Sequence, residues 1–202
     1  MTVDAIRRLV GIGSPPLGGD LRADRRLHAS LLPLLQAKNG FYAFESALLV
    51  RQSGSGAGNV AWWNHELTWR NAYPDLPDNL LFFAEDVFGF PFAVSDSGFH
   101  SFDPETAELE FVGGTAEEWA GAILDDSDML TGYQLAHEWQ VRHGALAPGY
   151  RLAPALPFVL GGEYNTEALR AKPDVELAEF RAEVYTRIKD LPDGAQIRIQ
   201  LE

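Results

Sequence analysis

The sequence contains no cysteine, and between Arg70 and Arg142 it has no lysine or arginine. The first absence removes disulfides, thiolate nucleophiles and cysteine-held zinc or iron–sulfur sites at once. The second leaves a stretch that carries 15 acidic side chains and no fixed cation. Also missing is any apolar run near the roughly 20 residues that cross a bilayer. Met1 to Leu21 holds no continuous hydrophobic segment followed by a small-residue cleavage site, so no signal peptide is expected and a cytoplasmic location is. No Gly-x-Ser-x-Gly elbow occurs, and the early glycines do not match a phosphate-loop spacing.

What is present describes an acidic globule. The 202 residues fit one domain, or a domain with an extension. A hydrophobic fraction of 46% with 22% charged residues suits a packed chain, and five Trp and 12 Phe supply bulk for a core. Sixteen basic against 29 acidic side chains give a formal charge of -13. Residues 1–40 hold six basic and three acidic, a local +3, so the remaining ten basic and 26 acidic carry -16. Such a surface repels phosphate backbones and anionic membranes, which argues against nucleic-acid or membrane binding, and it attracts a basic protein.

Along the chain, Ala5 to Val10 reads as a short helix and the Gly/Pro run Gly11–Gly19 as a loosely held arm. Within Leu21–Lys38 the residues Leu27, Leu31, Leu34 and Leu35 recur at helical steps, with Pro33 as a kink or break. Phe41–Arg51 looks like a strand or strand pair. Leu80–Ala84 is a short apolar strand, and Phe88, Phe90, Phe92 and Val94 then alternate with period two. Turns at Ser97-Gly98 and Asp103–Thr106, with Phe99–Phe102 and Leu109–Val112 beside them, predict an antiparallel meander. Thr115 with Glu118 forms a capping box for a helix that buries Trp119, Ile123 and Leu124. Leu130–His143 reads as another helix or turn-helix, and Gly144–Pro157 as extended. Across Val175–Asp190 the residues Leu177, Phe180, Val184 and Ile188 line one helical face, and Glu and Arg occupy the other. Ile197, Ile199 and Leu201 alternate as a final strand.

Few residues suggest chemistry. Glu85-Asp86 follows an apolar run, and a carboxylate there needs backbone amides or a cation to stay charged. It reads either as a loop carboxylate capping amides at a strand break or as an interaction or metal group. Adjacent residues in an extended chain face opposite ways, which weakens any catalytic dyad between them. Asp125, Asp126 and Asp128 lack the donor spacing and closing Glu of a calcium loop. His137 and His143 lie six apart rather than the four of the helical zinc motif, so His137 reads as a helix-end or core hydrogen-bonder. Neither a cofactor nor a metal is expected. Trp62, Trp63 and Trp69 lie among Asn64, His65, Glu66, Thr68 and Arg70, and two readings stand: core, or a partly exposed aromatic platform. Beside the cation-free stretch such a platform suits a basic partner, with aromatics as anchors and acids as rim.

Three blocks carry a family likeness. Asn39–Leu48 (NGFYAFESAL), Leu81–Gly89 (LFFAEDVFG) and Phe102–Thr106 (FDPET) resemble bacterial members of the SMI1/KNR4, or SUKH, superfamily. Leu135–Trp139 (LAHEW), Pro157–Glu163 (PFVLGGE) and Leu191–Gly194 (LPDG) resemble the extension of one bacterial branch, and the likeness spans roughly residues 22–200. It implies an α+β fold with a mixed, largely antiparallel central sheet packed against helices. It also implies a non-enzymatic binding role, since many bacterial relatives are immunity proteins against secreted toxins, often nucleases, and others are regulatory scaffolds. No catalytic residues carry over.

The resulting expectation is an N-terminal helix and flexible arm over 1–20, a SUKH-like core over 21–126 and a helix-strand extension over 127–202 packed on the same domain. The partner expected is a basic protein of the nuclease-toxin kind, with a scaffold role lacking a toxin as the alternative. The interaction candidates are Trp62, Trp63, Trp69, Glu85, Asp86, Asp96, Asp103, Glu105 and Glu108.

Overall fold

Short alternating runs separated by tight turns fold into a sheet that follows the chain in order. In the computed structural model, which describes residues 4–21, 27–54 and 56–192, six strands pair as β1-β2-β3-β4-β5-β6, each antiparallel to its neighbour. They are β1 (Phe41–Ala43), β2 (Leu48–Val50), β3 (Leu81–Glu85), β4 (Pro91–Ser95), β5 (Gly98–Phe102) and β6 (Leu109–Gly113). The helices are α1 (Ala5–Ile12), α2 (Leu32–Ala37), α3 (Val60–Trp63), α4 (Ala116–Asp125), α5 (Ser127–Thr131), α6 (Tyr133–His143) and α7 (Asp174–Ile188). A separate antiparallel ribbon joins β7 (Tyr150–Pro154) to β8 (Leu169–Pro173). The chain is thus an α+β fold with an antiparallel central sheet packed against helices.

Both sheet faces are covered. Leu9 of α1, Leu34 of α2 and Trp119 of α4 pack with Phe83 and Phe99 on one face. On the other, Trp63, Trp69 and Tyr73 pack with Phe82, Phe102 and the small residues Ala178 and Ala182 of α7. A third cluster joins Val87 and Phe88 to Ala136 and Trp139 of α6 and to Leu152 and Leu169 of the ribbon. Helices of ten to fifteen residues are marginal alone, so this burial is what holds them.

A bulge in β3 decides where Glu85 goes. Phe82 pairs with Ala93 and Ala84 with Phe92, which leaves Phe83 as the extra residue. Phe83 and Ala84 therefore both join the α4-side cluster, and Glu85 falls on the side of Phe82, toward α7 and β7.

Several sequence expectations shift. The Gly11–Gly19 segment is pinned beside β1: the amides of Ser14, Leu17 and Gly18 donate to the carbonyls of Tyr42, Gly40 and Asn39 over 2.7–2.9 Å. Lys38 Nζ ties the same segment down through the carbonyls of Val10, Gly13 and Ser14. Phe88 and Phe90 lie outside β4, because the Asp86 carboxylate accepts both their amides and Gly89 turns the chain at φ 77°. Leu130–His143 splits at Gly132, whose φ is 68° and where a Cβ would meet the Phe88 ring at 2.4 Å. On α7 the buried set is Leu177, Ala178, Arg181, Ala182 and Val184, with Phe180 only half-buried. The two alanines let α7 approach the Trp69–Tyr73 cluster closely, and Glu105 supplies Arg181 with a buried carboxylate. The final strand expected over Ile197–Leu201 lies outside the described residues.

Candidate functional site

Three of the nominated acids turn inward. Glu85, fully buried on β3, accepts from Arg51 Nη2 at 2.8 Å and from Arg151 Nε at 2.6 Å. Arg51 also reaches Asp174 Oδ2 at 3.1 Å, in the first turn of α7, and the Gly58 carbonyl at 3.1 Å. Its guanidinium lies 3.4 Å from the Trp63 ring centre, a cation–π contact. Burial by itself would push the Glu85 carboxyl up, but the two guanidiniums outweigh it and hold the group below its ordinary range.

Asp86 has a different device. It is buried and accepts the amides of Phe88 and Phe90 at 2.8 Å each, which is the capping arrangement at a strand break. Burial pushes its carboxyl up to about 7, against those two bonds and the pull of Arg181. Glu105 is also buried; Arg181 Nη1 lies 3.1 Å from its Oε1, and the Val159 amide donates to its Oε2 at 2.7 Å. Burial raises the Glu105 carboxyl, and Arg181 offsets part of that. Arg181 further donates to the Phe88 carbonyl at 2.8 Å and faces the rings of Phe90 and Phe158. Glu85 and Glu105 join the meander to β7 and α7, Asp86 holds its own turn, and all three are buried away from any partner's reach. Their nomination as contact residues is corrected accordingly.

The aromatic platform is corrected too. Trp63 and Trp69 are 1% and 4% exposed, their rings tilted against each other at 5.7 Å and, through Trp69, against Phe82 at 4.9 Å. They are core because β3 and β5 present Phe82 and Phe102 to them and α7 closes over the top. Trp62 is half-buried against Trp63.

What stays outside is the rest of the acidic stretch. Of the 15 acids between Arg70 and Arg142, ten are exposed, two half-buried and three buried, so the outward charge survives the loss of Glu85, Asp86 and Glu105. Asp96, at the β4–β5 turn, is exposed and accepts from Asn79 Nδ2 at 2.9 Å. Asp103 is half-buried and accepts the Glu105 amide at 2.7 Å within the β5–β6 turn. Glu108, immediately before β6, and Glu110 on it are exposed, beside Leu109 at 38% and Phe111 at 61% exposure. The strand sits at the edge of the sheet.

His137 is exposed on α6 rather than a core group. Its Nδ1 lies 2.9 Å from Glu45 Oε2, across from the β1–β2 turn where Phe44, Glu45 and Ser46 have φ of 51°, 52° and 72°. Gln140 Nε2 donates to the Glu45 carbonyl at 2.8 Å and helps hold that left-handed turn. A surface cavity of about 460 Å³ lies there, lined by Glu45, His137, Gln140 and Val141. A second of about 320 Å³ is lined by Trp139, Arg142, His143 and Glu167. Neither reaches Glu85, Asp86 or Glu105. Among the described residues no three His, Asp or Glu side chains converge on a metal-binding position, and no helix is long and apolar enough to cross a membrane.

The fold has a counterpart among solved structures. The chain is similar to Atu4351 from Agrobacterium tumefaciens, with a TM-score of 0.57 at 12% sequence identity, over 91% of this chain and 89% of that one. At that identity the likeness is one of fold, and it extends through both the meander and the elements after it. No protein-family model matches the sequence, and no curated protein matches it.

Sequence reasoning missed Arg51, Arg151 and Arg181 as the partners of the buried acids, and Leu109 and Phe111 as exposed apolar side chains. The arginines stand 34, 66 and 76 positions from those acids, so nothing local marks them. For β6 a signal existed: Leu109 and Phe111 alternate with Glu108 and Glu110, a pattern that also fits a half-buried strand.

Proposed function

We propose that this chain is a non-enzymatic protein-binding module of the SUKH type, and specifically an immunity-type protein that neutralises a toxin by covering its basic active surface. The observation that carries the reading is the outward acidity of one stretch: ten exposed carboxylates, with no lysine or arginine between them in sequence, distributed over strands, turns and helices of a packed body. The acids that turn inward are matched by buried arginines or backbone amides, and exposed ones such as Asp96 and Glu118 bond within the chain. The carboxylates of Glu108 and Glu110 have no such partner among the described residues and are left to act on another protein. A face of this kind speeds encounter with a cationic groove and penalises wrong partners, while apolar contacts hold the complex. The SUKH likeness in the sequence blocks supports the toxin as the partner. Affinity capture from the native strain with the wild-type chain and with the Glu108→Gln/Glu110→Gln variant tests it. The expected result is a basic protein enriched on the wild type, weakened on the variant, and harmless when co-produced with the chain. Recovery of the same proteins by both baits, or of the chain alone, would contradict the reading.

A further inference from the structure

We infer that β6 is a docking edge, and that the basic partner adds to it an extended segment in which apolar and basic residues alternate. The inference rests on the reading of a basic partner given above and specifies how that partner is held.

The backbone supplies the first part. The Asp103 amide donates to the Glu108 carbonyl at 2.9 Å, which makes that opposed pair a hydrogen-bonded one. In an antiparallel ladder bonded and non-bonded pairs alternate. From there the register runs Phe102 to Leu109, Ser101 to Glu110 and His100 to Phe111. Glu110 therefore spends its amide and carbonyl on β5, while those of Leu109 and Phe111 point away from the sheet. Among the described residues no strand pairs with that side of β6. Two residues whose outward groups have no partner among the described residues, about 6.8 Å apart along the strand, can accept an added strand through four backbone hydrogen bonds.

The side chains supply the occupant. Leu109 and Phe111 share the sheet face of Phe102 and His100, and the Phe111 ring lies 5.7 Å from the His100 ring. Glu108 and Glu110 occupy the alternate face. Cross-strand neighbours on one face interact directly, so the residues set against Leu109 and Phe111 are apolar and those set against Glu108 and Glu110 are Lys or Arg. A second copy of β6 is a poor occupant, because antiparallel pairing that opposes Leu109 to Phe111 sets Glu110 against Glu110. Past Phe111 the bulge at Val112 breaks the ladder, which limits the docked segment to a few residues.

The test uses the full chain, isotope-labelled, and an acetylated and amidated peptide of alternating Lys and Val. A control peptide of the same composition carries the Lys and Val in separate blocks. The expected result is at least tenfold slower amide exchange at Leu109 and Phe111 with the alternating peptide and none with the block peptide. Phe111→Pro removes one outward amide and keeps the charge; it should abolish that protection while the melting temperature of the chain stays near wild type. Leu109→Pro serves as the second variant should the first unfold. Binding of both peptides alike, with no slowing at β6, would overturn the docking edge and leave the acidic-face reading standing. Slow exchange at Leu109 and Phe111 in the free chain would assign the edge to the chain itself and overturn the inference. Failure of both peptides to bind, together with no basic protein on the affinity bait, would remove the reading beneath it as well.

Discussion

Arg51 and Glu85 meet at 2.8 Å in the interior, with Arg151 on the other carboxylate oxygen at 2.6 Å. That contact joins the β2 end of the meander to β3 and, through Arg151, to the ribbon that follows 66 residues later. Removing one member of a buried pair leaves an uncompensated charge and costs about 3–5 kcal/mol. Glu85→Gln should lower unfolding free energy in urea by about that much. A loss under about 1 kcal/mol would show that the network is incidental to stability.

The same pair sets a pH signature. The Glu85 carboxyl is held below its ordinary range in the folded chain, so its contribution is fully present above about pH 4.3, the unfolded value, and is lost as pH falls through the folded one. The stability gap between wild type and Glu85→Gln should therefore be constant from pH 8 to about pH 5 and close below about pH 4. A gap that widens on acidification would contradict the assignment.

Asp86 carries the opposite sign. Its carboxyl is pushed up to about 7, so between about pH 3.9 and that value the folded chain binds a proton the unfolded chain does not, and stability declines as pH rises. Asparagine keeps an oxygen for the amides of Phe88 and Phe90 without the buried charge. Asp86→Asn should gain on wild type in melting temperature between pH 5 and pH 8. Parallel pH curves for the two proteins would show that Asp86 does not titrate in that window.

Arg181 and Glu105 form a second buried pair, at 3.1 Å. Arg181→Met and Glu105→Gln should each destabilise, and the double variant should lose less than the sum, with a coupling of about 1–3 kcal/mol from the four unfolding free energies. Additive losses would mean that the two side chains act independently.

Trp69 is core and Trp62 is half-buried, and stability should separate them. Trp69→Ala empties a site among Trp63, Tyr73, Phe82 and Phe102 and should cost about 3–5 kcal/mol. Trp62→Ala should cost clearly less, and Glu108→Gln should stay within about 0.5 kcal/mol of wild type. Chemical denaturation of the three variants settles the order.

Local pattern made much of this architecture legible. Turn residues and period-two runs located the meander from Leu81 to Gly113, and Thr115 marked the start of α4 through its bond from the Glu118 amide at 3.2 Å. Glu118 itself reaches the Gly114 amide, one residue before the expected capping-box partner. Long-range events were illegible. The β3 bulge that redirects Glu85, and the burial of Arg181 in a face that helical periodicity assigned to Phe180, both depend on residues remote in sequence. The same cause misplaced the site: a carboxylate count cannot tell an outward acid from one matched by a distant arginine, and an aromatic run beside polar residues does not reveal that α7 covers it.

The central claim is that the outward acids of β6 and its neighbours draw in a basic partner. The association rate of the captured partner, measured for the wild type and for Glu108→Lys/Glu110→Lys at about 20 and about 300 mM salt, tests it most directly, since exposed charges act over a Debye length that shrinks with salt. A steep fall of the wild-type rate with salt, and a slow and nearly salt-independent rate for the variant, is the predicted result. Equal rates for the two proteins at both salt concentrations would contradict the account.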